Sequence, residues 1–173
     1  LVGRDVDDFE NLMLTLNQCI VKNTSAKAAV DMALWDLYGQ LHQIPVYKLL
    51  GGSRNKIVTD ITISVNSPEE MAQDAVNAKE RGYDCLKIKV GKDASMDLER
   101  LIAVRKAVGN DMLLRIDANQ GWNPKEAVRL LNAMQEKGLL IEFVEQPVKA
   151  HDFEGMKYVT EHSYVPVLAD ESV

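Results

Sequence analysis

Lys89, Asp117, Glu145 and Asp170 are separated by 28, 28 and 25 residues, and each closes a short, largely apolar run that reads as a strand. One ionisable group per repeat, always at the same edge of a parallel sheet, is what the mouth of a βα-barrel requires. Three carboxylates brought to one mouth repel each other unless a cation holds them. Hard oxygen ligands with room for water and substrate favour Mg²⁺, with Mn²⁺ as a substitute. The competing reading makes such residues solvated loop positions or helix caps, which suits one of them better than three in phase.

Lys87 and Lys89 stand two apart on one strand and so point the same way. Beside a divalent cation and a second lysine the charged ammonium is disfavoured. That is expected to lower the pKa from the reference of about 10.4 into a range where lysine works as a general base. The alternative is a structural network in which both lysines pair with the strand-end carboxylates, although inward lysines without a chemical task are costly to desolvate. A base beside a metal held by three carboxylates suits removal of the weakly acidic proton next to a substrate carboxylate, with Lys89 taking the proton.

The elements that must place these groups are legible in the pattern. Strand candidates are Ile57–Val65, Cys85–Val90, Met112–Asp117, Ile141–Glu145 and Pro166–Asp170, alternating with helical segments of ten or more residues. Ser67-Pro68-Glu69-Glu70 and Asn123-Pro124-Lys125-Glu126 repeat one helix-start chemistry: a capping residue, proline at the first helical position, and glutamate two further on. A repeated βα unit implies a parallel sheet with right-handed crossovers, either open or closed into a barrel. The single glycine of Lys89-Val90-Gly91-Lys92 is too few for a nucleotide-binding turn. Parity places Cys85, Lys87 and Lys89 opposite Leu86, Ile88 and Val90, and Leu113, Arg115 and Asp117 opposite Leu114 and Ile116. The polar faces are expected to line a barrel and the apolar faces to meet helices.

Residues 1 to about 50 differ in character. From Ser25 as N-cap, Ala29, Met32, Ala33, Leu37 and Leu41 follow helical spacing until Ile44-Pro45, and Leu49-Leu50-Gly51-Gly52 makes a hinge. Met32 and Trp35 are expected in a core. The fold class is therefore α/β: a partial (β/α)-barrel of about five strands over residues 53–173, preceded by a helical region over residues 1–52.

The 173 residues carry 26 acidic and 20 basic side chains, a net charge of -6, with 46% hydrophobic residues. This is a core-forming composition without a basic cluster, which argues against disorder and against nucleic acid as the main partner. No apolar run approaches the length of a membrane span. Cys19 and Cys85 lie far apart without metal-ligand spacing, so a reducing cytoplasm is expected. His42, His151 and His162 fall away from the strand ends and read as surface or core histidines; Asp5–Asp8 reads as a solvated face. The opening Leu1-Val2-Gly3-Arg4 and the closing Val173 are expected to mark an excised or truncated piece.

Leu86-Lys87-Ile88-Lys89, Arg115-Ile116-Asp117-Ala118-Asn119-Gln120, Val144-Glu145-Gln146-Pro147 and Leu168-Ala169-Asp170-Glu171-Ser172 closely resemble the enolase superfamily in its muconate-lactonizing-enzyme subgroup. The resemblance covers essentially the whole chain. Asn23–Ala29, Ser64–Glu70 and Asp117–Trp122 look most like dipeptide epimerases of the L-Ala-D/L-Glu type. By that resemblance Asp117, Glu145 and Asp170 match metal ligands, Lys89 the acid/base lysine and Lys87 its electrostatic neighbour, while Asn119 and Glu171 support the ligands. Residues 1–52 then look like the end of the family's capping domain, and 53–173 like the first half of its modified barrel.

The resemblance implies an isomerase, an epimerase using Mg²⁺ on a dipeptide, forming a homo-oligomer, without nucleic-acid or membrane partners. It also implies a second lysine on a sixth strand, which this chain does not include, so the chain alone is expected to bind metal weakly and not to epimerise. Two rivals share the residues. An o-succinylbenzoate synthase or cycloisomerase uses the same half-reaction, and an inactive half-barrel buries its open edges against another copy.

Overall fold

The computed structural model describes residues 1–173, which divide into two compact units, Leu1–Val58 and Thr59–Val173. The first holds three helices: α1 (Phe9–Gln18), α2 (Thr24–His42) and α3 (Val46–Leu49). Phe9 packs its ring on Trp35 at 4.5 Å and on Tyr38 at 5.0 Å between centroids, and Leu12 and Leu16 are buried. At the end of α2 Gln43 adopts left-handed backbone, and Ile44 N donates to Gly39 O at 2.9 Å, which closes the helix before Pro45.

Two expectations for α2 are corrected. The N-cap is Asn23 rather than Ser25. The row Ala29, Ala33, Leu37 and Leu41 is exposed, and so is Met32, at 66%. The physical reason is that spacing tells which residues share a face, whereas α1 decides which face is covered. Phe9 takes the opposite side of α2, so Trp35 is half-buried and the aliphatic row is not.

The second unit alternates strictly: β1 (Ile61–Ile63), α4 (Pro68–Glu80), β2 (Cys85–Lys89), α5 (Ala94–Val108), β3 (Leu113–Asp117), α6 (Pro124–Glu136), β4 (Ile141–Glu145), α7 (Phe153–His162) and β5 (Val167–Leu168). The five strands lie in the order β1-β2-β3-β4-β5, and every neighbouring pair is parallel. A sheet that never reverses its order is the winding of a barrel wall, since a doubly wound sheet changes direction at a switch point. Both repeated helix starts form full capping boxes, Ser67 with Glu70 and Asn123 with Glu126.

Strand parity falls as the alternation requires. Leu86, Ile88, Leu114, Ile116 and Val144 are fully buried in one core with Met71, Leu101, Val104, Leu131 and Met134 from α4, α5 and α6. Lys87, Lys89 and Arg115 lie half-buried on the other face. Arg105 fixes the opposite end of the sheet by donating to Leu139 O, Gly109 O and Met112 O.

The two outer strands are shorter than their sequence pattern. Ile57 and Val58 are 93% and 87% exposed, because β1 has β2 alone for a partner and pairs only over Leu86–Ile88. β5 pairs with β4 only at Val144 and Glu145. Asp170 therefore lies in a turn two residues past the strand, not at its last position.

Candidate active site

Parallel register places the site. Lys89 pairs with Asp117 across β2 and β3, and Asp117 with Glu145 across β3 and β4, so the three residues form one row at the C-terminal edge. Lys89 Nζ donates to Asp117 Oδ2 at 2.6 Å and to Asn119 Oδ1 at 2.7 Å. Lys87 Nζ stands between two carboxylates, 2.7 Å from Glu145 Oε1 and 3.0 Å from Asp117 Oδ2. Asp117 is buried, and its Oδ1 accepts from Asn119 N at 2.9 Å. Asn119 Nδ2 in turn reaches Glu171 Oε1 at 3.4 Å.

Asp170 is exposed and is tied to the row through its backbone, Asp170 N donating to Gln146 Oε1 at 3.0 Å. No three His, Cys, Asp or Glu side chains stand close enough together to hold a metal ion. The lysines occupy the oxygens between Asp117 and Glu145 instead.

The electrostatics follow from this crowding. Burial pushes the Asp117 carboxyl up, but hydrogen bonds from Lys89, Lys87 and the Asn119 amide outweigh it and hold it below the usual range. Glu145 goes the other way: burial and the Asp117 charge raise it by more than Lys87 lowers it. For Lys87 burial favours the neutral amine, yet the bonds to Glu145 and Asp117 outweigh that and raise its pKa. Two acidic groups share one bridging ammonium. A donor set of carboxylate oxygens around a positive charge fits the chemistry of a hard divalent cation.

The loops beyond the strands are tightly fixed. Gly91 has φ +86, and a Cβ there would run into the backbone of Ala118; a Cβ on Gly121 would run into Gly91. Asn119, Gln120 and Gln146 adopt left-handed backbone with φ of 42, 66 and 36. Each such residue stores about 1–3 kcal/mol of strain, which tends to collect at functional sites. Beside them a cavity of about 360 Å³ is lined by Ser64, Val65, Lys89, Gly91, Lys92 and Asn119 among others.

Two residues of this edge carry no signal in the strand pattern. Asp97 is fully buried and accepts from Gly91 N at 2.8 Å, Trp122 Nε1 at 2.9 Å and Arg100 at 3.1 Å. Its signal is a carboxylate on the helix face shared with Leu101, Val104 and Val108. Gln146 is also fully buried, and nothing in its spacing marks it. Within the first unit His42 pairs with Asp7 at 2.7 Å, and within the second His162 pairs with the Tyr158 carbonyl at 2.9 Å.

Residues 70–173 match the family described as Enolase C-terminal domain-like, and residues 1–51 match the mandelate racemase / muconate lactonizing enzyme N-terminal domain. The L-Ala-D/L-Glu epimerase of Clostridium acetobutylicum is 61% identical over 173 residues, covering 100% of this chain and 48% of the relative. The substrate-liganded L-Ala-D/L-Glu epimerase of Bacillus subtilis superimposes with a TM-score of 0.93 at 49% identity, over 100% of this chain and 48% of that one. A dipeptide epimerase of Enterococcus faecalis, complexed with Mg and L-Leu-L-Tyr, gives a TM-score of 0.85 at 45% identity over 97% and 46%. The chain spans about half the length of the curated relatives it matches.

Proposed function

We propose, because the chain belongs to the mandelate racemase / muconate lactonizing enzyme family of the enolase superfamily, that it serves a metal-dependent dipeptide epimerase. The reaction moves the proton on the carbon beside a substrate carboxylate. The observation that carries this reading is the strand-end row itself, in which Lys89 Nζ lies 2.6 Å from Asp117 and the Lys87 ammonium bridges Asp117 and Glu145. Residues 1–52 are then the end of a capping domain, and residues 53–173 the first half of a modified (β/α)₈ barrel.

Asp117, Glu145 and Asp170 are the residues that would hold the cation. A divalent ion bound there supplies positive charge against the negative charge that grows on the substrate carboxylate. Lys89 takes the proton at Nζ, and Asn119 Oδ1 orients that nitrogen by accepting from it. Lys87 keeps a fixed positive charge against Glu145 and Asp117. Asn119 and Glu171 hold the neighbouring turns in place through their mutual hydrogen bond. The cavity beside Lys89 supplies room for a small substrate. The similarity to a relative named L-Ala-D/L-Glu epimerase at 61% identity supports a dipeptide as substrate. Both cysteines are free thiols, which suits a reducing cytoplasm.

The test is solvent exchange in D₂O, using a polypeptide that carries this chain at its relatives' full length. With Mg²⁺ present, the proton beside the free carboxylate of L-Ala-L-Glu is expected to exchange, and chelation of the metal is expected to stop it. No exchange of this dipeptide, with loss of water from a succinyl-bearing acid in its place, would replace this reading with the elimination chemistry of a synthase.

A further inference from the structure

We propose that Gln146 is the positioning residue for the third carboxylate, its buried amide pinning the turn that carries Asp170 to the end of β4. This rests on the reading of Asp117, Glu145 and Asp170 as one cation site. The need for such a device follows from β5, whose pairing with β4 ends at Leu168. A carboxylate two residues past the last ladder pair has no strand to fix it.

The side chain of Gln146 makes that connection. Its Oε1 accepts from Asp170 N at 3.0 Å and from Ser172 N at 3.1 Å. Its Nε2 donates to Val148 O at 3.0 Å and to Ser172 Oγ at 2.7 Å. A primary amide offers two donors and one carbonyl oxygen with two lone pairs, so all four places are filled. The orientation is forced as well, because a flipped amide would set its own N–H groups against the two turn amides.

The network runs on to the base. Ser172 Oγ donates to Ala150 O at 2.7 Å, Ala150 N donates to Gln120 Oε1 at 2.9 Å, and Gln120 adjoins Asn119, which accepts from Lys89. Gln146 also follows Glu145 directly in the chain and sits in left-handed backbone at φ 36, a conformation that its surroundings must enforce. One buried residue thereby couples the carboxylate of β4 to that of the turn after β5.

The experiment uses a ¹⁵N-labelled polypeptide that carries this chain at its relatives' full length, with amide hydrogen exchange and Mn²⁺-induced line broadening as separate readouts. Gln146→Met keeps the length of the side chain and removes its hydrogen bonds. It is expected to speed exchange at Asp170 and Ser172 by at least about 10-fold while Ala118 and Val144 keep their protection. In the unaltered chain Mn²⁺ is expected to broaden Ala118, Glu145, Asp170 and Glu171 together. In Gln146→Met, broadening of Asp170 and Glu171 is expected to need about 10–100 times more Mn²⁺. Ser172→Ala keeps both turn amides on Oε1, so its effect on both readouts is expected to be smaller.

Unchanged protection at Asp170 and Ser172, or an equal loss at Val144 and Ala118, would overturn the positioning role and leave Gln146 an ordinary core residue. So would broadening of Asp170 and Glu171 at the same Mn²⁺ concentration in both chains. Absence of Mn²⁺ broadening anywhere in the unaltered chain would instead sink the cation site, and Gln146's part in holding a ligand with it.

Discussion

Lys89→Ala, in a polypeptide carrying this chain at its relatives' full length, is expected to lower α-proton exchange of L-Ala-L-Glu by about 10²–10⁴-fold, the range that a positioned general base supplies. The fold should survive. Lys89 Nζ is partly open to solvent, and Asp117 keeps both Lys87 and the Asn119 amide when it is gone. Lys89→Arg sharpens the test, because a guanidinium preserves the charge against Asp117 but stays protonated and cannot accept a proton. Exchange should fall as far as in Lys89→Ala. Exchange within about 10-fold of the unaltered protein in either variant would be too small a loss for a base and would remove Lys89 from that role.

The largest effect on folding is expected at Asp97, which takes no part in the chemistry. Its carboxylate satisfies the buried indole N–H of Trp122 and the amide of Gly91, and it pairs with Arg100. Asp97→Ala leaves the buried indole N–H and the part-buried Gly91 amide without this acceptor, at about 1–3 kcal/mol for the indole and less for the amide, and adds the loss of the ion pair. A total of about 3–5 kcal/mol is a large share of the ~5–15 kcal/mol that holds a domain together. The thermal midpoint should drop by roughly 10 °C. Asp97→Asn keeps one oxygen for Gly91 and Trp122 and gives up only the charge against Arg100, so it should cost about 1–2 kcal/mol. Equal midpoints for the two variants in a calorimetric scan would contradict the three-bond account.

The contrast between Lys89 and Asp97 shows which parts of the molecule were legible in the residues. Period-two alternation marks Leu86, Ile88, Leu114 and Ile116 as one face, and all four are fully buried. The repeated caps at Ser67 and Asn123 stand at the starts of α4 and α6 because a capping box is a local device, complete within four residues. The register of Lys89, Asp117 and Glu145 follows from equal spacing in a parallel sheet.

What local pattern could not supply was partnership across the chain. The apolar row of α2 was visible, but which face Phe9 would cover was not. Asp97 meets Trp122, 25 residues on, and Gln146 meets Ser172, 26 residues on. Neither partner sits at a spacing that any helix or strand period marks. The ends of β1 and β5 were overdrawn because apolar runs measure strand propensity, whereas a strand's length is set by its partner.

Anomalous diffraction from crystals, grown with Mn²⁺, of a polypeptide that carries this chain at its relatives' full length is the most direct test of the strand-end site. The account predicts a single anomalous peak bounded by the carboxylates of Asp117, Glu145 and Asp170, with Lys87 Nζ withdrawn from its place between the first two. A peak elsewhere, or no peak while Lys87 and Lys89 stay bonded to Asp117 and Glu145, would contradict it.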